Sequence, residues 1–361
     1  MTQNKSTKLI MFAVAAVALM VFPLLLQATG NNSYARIVDQ ALLYVLLALG
    51  LNIVVGYAGL LDLGYIAFYA VGAYLYGLLA SPHLVQAFPA IAEAFPGGMH
   101  TNIFPVLIIA AIFAGIVGMI LGAPTLKLRG DYLAIVTLGF GEIIRIFMLN
   151  LDRPINITNG PKGLPQVDAP NVLGISFAKR LTIGDYTIEP VTMYYYLFLA
   201  FVIMSVFISY RLQDSRIGRA WMAIREDETA AKAMGLNTRN LKLLAFGMGA
   251  TFGGISGVLF ASFQRGVYPE SFILMESVMV VAMVVLGGLG HIPGVILGAL
   301  LLAALPEVLR HFAGPLGQLT DGRLAPEILR QLLIALAMIV VMLVRPKGLW
   351  PSPEHGKSLA R

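Results

Sequence analysis

A charge inside a long apolar stretch is costly to bury, so such residues are the first to examine for function. Asp62 is one, within Gly56-Tyr57-Ala58-Gly59-Leu60-Leu61-Asp62-Leu63-Gly64. Glycine at that density loosens a helix and bares backbone amides and carbonyls, which membrane depth tolerates only against protein or a wet cavity. Asp62, with Gly56, Gly59 and Gly64, is therefore a candidate for a translocation path; the alternative is an interfacial carboxylate near the inner headgroups. Glu142 and Arg145 lie three residues apart on one helix face, where they either neutralise each other or line a path. Gly249, Gly253 and Gly257 recur at i, i+4 and i+8, as do Gly290, Gly294 and Gly298. Close helix packing and direct lining of a path both fit that spacing.

No catalytic constellation emerges. His83, His100, His291, His311 and His355 have no metal-ligand spacing, and zero Cys excludes a disulfide framework or a thiolate metal site. Gly356-Lys357-Ser358 imitates the end of a phosphate-binding loop, but the required first glycine falls at Pro351 and no strand precedes it. The chain reads as a non-enzyme that binds no cofactor and no metal.

Ile217, Ala220, Trp221 and Ile224 follow the i, i+3, i+4, i+7 rhythm of an amphipathic helix. Asp227 can cap a second short helix, Glu228 to Met234, which Gly235 can end in the left-handed conformation. Small alanines and acids at its start suit a groove on another protein. An ordinary membrane-surface helix is the alternative.

The elements that must position these groups follow from composition. Of 361 residues 58% are hydrophobic and 12% charged, against roughly 25% charged in a soluble domain. This is a membrane protein, and its formal charge of +6 reflects basic loops rather than nucleic-acid binding. Windows of about 20 apolar residues mark ten segments: 8–27, 36–55, 57–80, 103–122, 131–149, 192–210, 240–263, 276–289, 293–310 and 327–344. Tight joints around Gly56 and Gly290–Pro293 leave re-entrant hairpins or broken helices open there, so the count runs from eight to ten. Lys5 and Lys8 precede the apolar Leu9–Leu26, which is longer than a signal-peptide core and lacks an A-x-A site, so a retained helix is expected.

An N-in, C-in orientation puts 15 Lys and Arg in inner segments against 8 outside. Trp221, Trp350 and the Tyr194-Tyr195-Tyr196 run are expected at the membrane interfaces. An outer loop, 150–191, divides an N-terminal helix (1–35) and first-half core (36–149) from a second-half core (192–344) containing the cytoplasmic loop 211–239; a tail, 345–361, follows. Five segments on each side make the halves inverted relative to each other, an all-α architecture common in transporters.

Glu228-x-Ala230-Ala231-x-x-x-Gly235 resembles the coupling signature of bacterial ABC-importer permeases, with Thr229 where a glutamate is usual. Ile217-Gly218-Arg219-Ala220-Trp221 and Arg225-Glu226-Asp227-Glu228 are similar to a narrower family, the LivM-type branched-chain amino-acid permeases. So are Gly50 to Gly64 with Ala67 to Tyr74, Leu128 to Arg145, Leu286-Gly287-Gly288-Leu289-Gly290, and Arg345-Pro346-x-Gly348-Leu349. The resemblance covers most of 42–349 and is weak over the first helix and the outer loops. It implies a bacterial inner-membrane importer with a second related permease, two ATPase subunits that use ATP and Mg, and an extracytoplasmic substrate-binding protein. In it Arg225, Glu226, Asp227, Glu228, Ala230, Ala231 and Gly235 would couple to the ATPase, and Gly287, Gly288 and Gly290 would join the path candidates. Permeases for urea, amides or other amino acids, an ion-coupled secondary transporter working through Glu142 or Asp62, and a multipass membrane enzyme, which the absent catalytic constellation weakens, are the rival readings.

Overall fold

In the computed structural model the described residues are 18–27 and 32–319, apart from 97, 127, 129, 173, 184 and 185, together with 332, 335, 336, 339, 340, 343–345 and 348–350. They form a helical bundle. Its helices are α1 (Ala18–Gln27), α2 (Asn32–Leu51), α3 (Ile66–Leu79), α4 (His83–Ala87), α5 (Pro89–Ala94), α6 (Ile103–Thr125) and α7 (Asp131–Asn150). After the outer loop come α8 (Pro190–Gln213), α9 (Arg216–Glu226), α10 (Glu228–Ala233), α11 (Thr238–Gln264), α12 (Leu274–Gly287) and α13 (Ile292–Leu319). Five are long and apolar enough to cross a bilayer, α2 counting with the π-helical turn Asn52–Tyr57 that extends it. The chain has the architecture of a polytopic membrane protein. Half of the first expected segment, 8–27, and most of the tenth, 327–344, lie outside the described residues, as do most residues of the tail.

The expected segment 57–80 is only half a helix. Residues 58–65 run as irregular backbone before α3, which has 14 residues, about 21 Å at the helical rise. Chain without helical hydrogen bonds survives at membrane depth only when protein satisfies it. Here Leu63 N–H donates to Thr137 Oγ1 at 3.0 Å, Gly64 N–H to Asp62 Oδ1 at 2.9 Å and Ile66 N–H to Ser277 Oγ at 3.2 Å. The break therefore climbs from the loop end of α2 into the bundle. α12 is equally short at 14 residues.

α2 and α11 form the centre and are the most buried of the long helices, at 78% and 67% of their apolar windows. Missing side chains bring them together. A Cβ on Gly249 would fall 3.1 Å from the Gly50 carbonyl, and one on Gly253 2.9 Å from Phe68 Cβ of α3. On the other face of α11 a Cβ on Gly254 would meet Ala114 of α6 at 2.6 Å. Gly287 likewise packs directly on Gly294, and Gly298 on Met283. Gly249, Gly253, Gly257, Gly294 and Gly298 thus pack helices, while Gly290 sits in the turn before α13 at φ +79°. α6 and α7 turn exposed apolar stripes outward, among them Ile108, Ile112 and Ile120, as lipid-facing helices do.

Opposite the α9–α10 loop, three two-stranded pairs order the outer loop: β1 (Leu164–Pro165) with β6 (Gly266–Val267), β2 (Asn171–Val172) with β3 (Ile175–Ser176), and β4 (Leu181–Ile183) with β5 (Tyr186–Ile188). Three of the aromatics expected at the interfaces bury in protein. Tyr194 and Tyr195 are buried, with hydroxyls donating to the Ser262 carbonyl of α11 and the Leu19 carbonyl of α1 at 2.7 and 2.9 Å. Trp221 is fully buried and donates from Nε1 to the Leu241 carbonyl at 2.7 Å. In each case a protein carbonyl takes the polar tip that headgroups were expected to hold.

Candidate functional site

The loop between α8 and α11 is a built structure. Ser215 caps α9 by accepting from Gly218 N–H at 3.1 Å, Trp221 buries against Ile53, Tyr57, Leu60 and Phe246, and Ile224 is buried as well. Trp221 and Ile224 are on the inner face as expected, and Gly218 replaces Ile217, which is exposed.

α10 has six residues, too few to persist alone in water. Three local devices hold it. Asp227 Oδ1 accepts from Thr229 and Ala230 N–H at 2.7 and 3.0 Å, a cap of about 1 kcal/mol. At the far end Gly235 takes φ +85°, with Gly235 N–H on the Lys232 carbonyl and Leu236 N–H on that of Ala231, at 3.0 and 3.1 Å. Ala231 is buried below, leaving Ala230, Ala233 and Met234 exposed, Met234 at 83%. Glu226 is exposed as well.

Glu228 does not join that outer face. It pairs inward with Lys242 of α11 at 2.8 Å and with Lys232 at 3.1 Å. Partial burial pushes its carboxyl up, but hydrogen bonds and charge from Lys242 and Lys232 outweigh this and lower the pKa from 4.5 to about 2. The depressed value means the strut contributes fully above the ordinary carboxylate range and is lost only as pH falls through about 2. Neutral-pH function is therefore insensitive to its titration.

Arg225 makes the second link. Its guanidinium donates from Nη1 to the Gly56 carbonyl, and a Cβ on Gly290 would lie 3.0 Å from the same nitrogen. Gly59, at φ +68°, lies against its stem, with a Cβ position 2.8 Å from Arg225 Cγ. Asn52 completes the junction, its Oδ1 accepting from Gly290 N–H at 2.9 Å. The C-terminal block arrives at the same turn: Leu349 and Trp350 N–H donate to the Leu286 and Gly287 carbonyls, and Gly348 stacks on Gly288. One arginine on the loop thus touches both glycine breaks, which the sequence separates by more than 200 positions. A cavity of about 200 Å³ beside it is walled by Gly59, Leu133, Ile224, Arg225, Glu228 and Lys242.

The other candidates stand apart. Asp62 is buried, and Gly64 packs on the Thr137 carbonyl and Gly141 of α7; among the described residues Asp62 Oδ2 has no hydrogen-bond partner. Glu142 and Arg145 form an ion pair on the half-exposed face of α7, with Arg145 Nε donating to both carboxylate oxygens at 3.0 Å. Asn52 and Lys242 were not singled out from the sequence. Their one signal was polarity beside apolar runs.

Residues 33–342 match the family described as branched-chain amino acid transport system, permease component. The chain belongs to this family. It is 39% identical over 347 residues to the high-affinity branched-chain amino acid transport system permease protein LivM of Escherichia coli, covering 93% of this chain and 74% of that one. A probable LivM of Methanocaldococcus jannaschii is 28% identical over 86% of this chain and 90% of its own. LivH of Salmonella typhimurium is 27% identical over 87% and 93%. No solved structure matches.

As a permease of this family, the chain should be sensitive where the loop meets the breaks. Gly59→Val is expected to lower uptake more than Gly122→Val at equal membrane abundance. At 59 a branched side chain meets both a left-handed backbone and the Arg225 stem, whereas at 122 it meets only the Phe246 ring, 3.0 Å away. Parental uptake by the Gly59 variant would remove the junction from the mechanism.

Proposed function

We propose that this chain is one of two membrane-spanning permeases of an ATP-driven importer for branched-chain amino acids in the bacterial cytoplasmic membrane. Its partners are a related permease, two ATPase subunits and an extracytoplasmic binding protein. ATP and Mg are held by the ATPases and not by this chain. The reading includes ten crossings in an inverted 5+5 arrangement, N-in and C-in, with the short helices α3 and α12 third in their halves.

The observation that carries this reading is α10: a capped stub with an exposed Ala230, Ala233 and Met234 tip and two rigid connections into the membrane body. Closure of the ATPases pushes on that tip. The Glu228–Lys242 pair passes the displacement to α11, and Arg225 passes it to the turns at Gly56 and Gly290. Those turns bound α2, α3, α12 and α13, so the push reaches helices of both halves at once. The paired permeases then alternate between outward-open and inward-open states around a shared path, and the binding protein selects substrate.

Reporters fused after Arg225 and after Lys357 are expected to read cytoplasmic, and one within 159–162 external. Leucine uptake by the reconstituted assembly should require ATP. An external signal at Arg225, or uptake driven by a proton gradient without ATP, would overturn the proposal.

A further inference from the structure

A cavity of about 150 Å³ lies between α2, α3, α11 and α12, away from the coupling loop. α11 runs 27 residues from Thr238, beside α10, to Gln264, about 40 Å, and Gln264 lines the cavity. Its polar side is Glu276, Tyr44, Gln40, Gln264 and Ser271. Its apolar side is Leu43, Tyr69 and Phe260, the last two with ring centroids 5.1 Å apart. Glu276 is the one charged residue in the lining, and Tyr44 donates to its Oε2 at 2.9 Å.

We propose that this cavity is a binding site for the primary ammonium of a small aliphatic amino acid, with Glu276 as its counter-ion; the proposal rests on the permease reading above. Three observations carry it. A lone carboxylate flanked by a phenol and amides matches a cation with several N–H donors, and the facing Leu43, Tyr69 and Phe260 suit a branched hydrocarbon. About 150 Å³ holds a guest the size of benzene, which admits an aliphatic side chain. The cavity also lies at the starts of the short helices α3 and α12. Ile66 N–H, at the start of α3, donates to Ser277 in the first turn of α12, and both short helices contribute lining. Interrupted helices in matching positions are where transporters bind substrate. Outside that lining, Arg36 donates to Gln264 Oε1 at 3.2 Å, which sets a guanidinium next to one of the lining amides.

The competing account is that Glu276 and Tyr44 only staple α12 to α2. The chain has no cysteine, so Ser271→Cys places a single reporter thiol in the cavity wall. In the assembled complex, labelling of this chain by cationic aminoethyl methanethiosulfonate is expected to exceed labelling by the anionic sulfonatoethyl reagent by about tenfold beyond their ratio on free thiols. Glu276→Gln keeps an acceptor for Tyr44 and removes the charge, so it should collapse that preference while the complex stays intact. Leucine and isobutylamine should slow labelling, and isovalerate, which lacks the ammonium, should not. Gln40→Cys serves as a second position. Charge-blind labelling at both positions, or a preference unchanged by Glu276→Gln, would overturn the site. ATP-driven uptake by the parent complex is measured alongside: its absence overturns the permease reading, whereas uptake with charge-blind labelling overturns this site alone.

Discussion

Arg225→Ala is expected to leave the importer assembled and hydrolysing ATP at its basal rate, while leucine uptake falls by about tenfold to a hundredfold. Arg225 is the side chain of the loop that bonds the Gly56 carbonyl and lies against Gly290. A hydrogen bond from a charged donor contributes about 1.5–3 kcal/mol, which corresponds to that range of rate if the contact is made in only one of the two transport states. The fold should survive. Trp221 and Ile224 still bury α9, and Asn52 still holds Gly290 N–H. Arg225→Lys keeps a donor but loses the planar fork and is expected to retain intermediate uptake. Parental uptake in the alanine variant, with binding-protein stimulation of ATP hydrolysis unchanged, would show that the arginine only fills space.

Gly235→Glu is expected to uncouple hydrolysis from transport as severely. A non-glycine residue at φ +85° costs roughly 1–2 kcal/mol, comparable to the Asp227 cap that holds the same helix. No atom lies within 4 Å of a Cβ built there, so the substitution does not wedge the loop off the membrane body. Its effects are to unwind the end of α10 and to put a negative charge beside the exposed Met234. Both act on the face offered to a partner. The variant should accumulate with its partner permease yet lose stimulation of ATP hydrolysis by loaded binding protein, whereas Arg361→Glu should behave as the parent.

The helices were legible because a bilayer demands long apolar runs, and α6, α7, α8 and α11 fall within a few residues of the expected segments. The ends of α10 were legible for a local reason: Asp227 and Gly235 are residue types that do one thing at a helix terminus. The half-length of α3 was hidden, because Leu60, Leu61 and Leu63 are as apolar in irregular backbone as in a helix, and hydropathy does not register hydrogen bonding. The burial of Trp221, Tyr194 and Tyr195 was hidden since their partners, carbonyls of α1 and α11, are distant in sequence. The same blindness hid Asn52 and Lys242. It also left Glu228 expected on the docking face, although its carboxylate points inward to Lys242.

The central claim is that the tip of α10 is the contact through which an ATPase drives this permease, and crosslinking from that tip tests it most directly. Met234→Cys provides a unique thiol in a chain with no cysteine, on a side chain 83% exposed. A benzophenone maleimide attached there and photolysed in the assembled importer is expected to capture the ATPase subunit, with the yield falling sharply when Gly235→Glu is added. An intact, transporting complex in which Met234→Cys captures only lipid, or captures the ATPase equally with and without Gly235→Glu, would contradict the account.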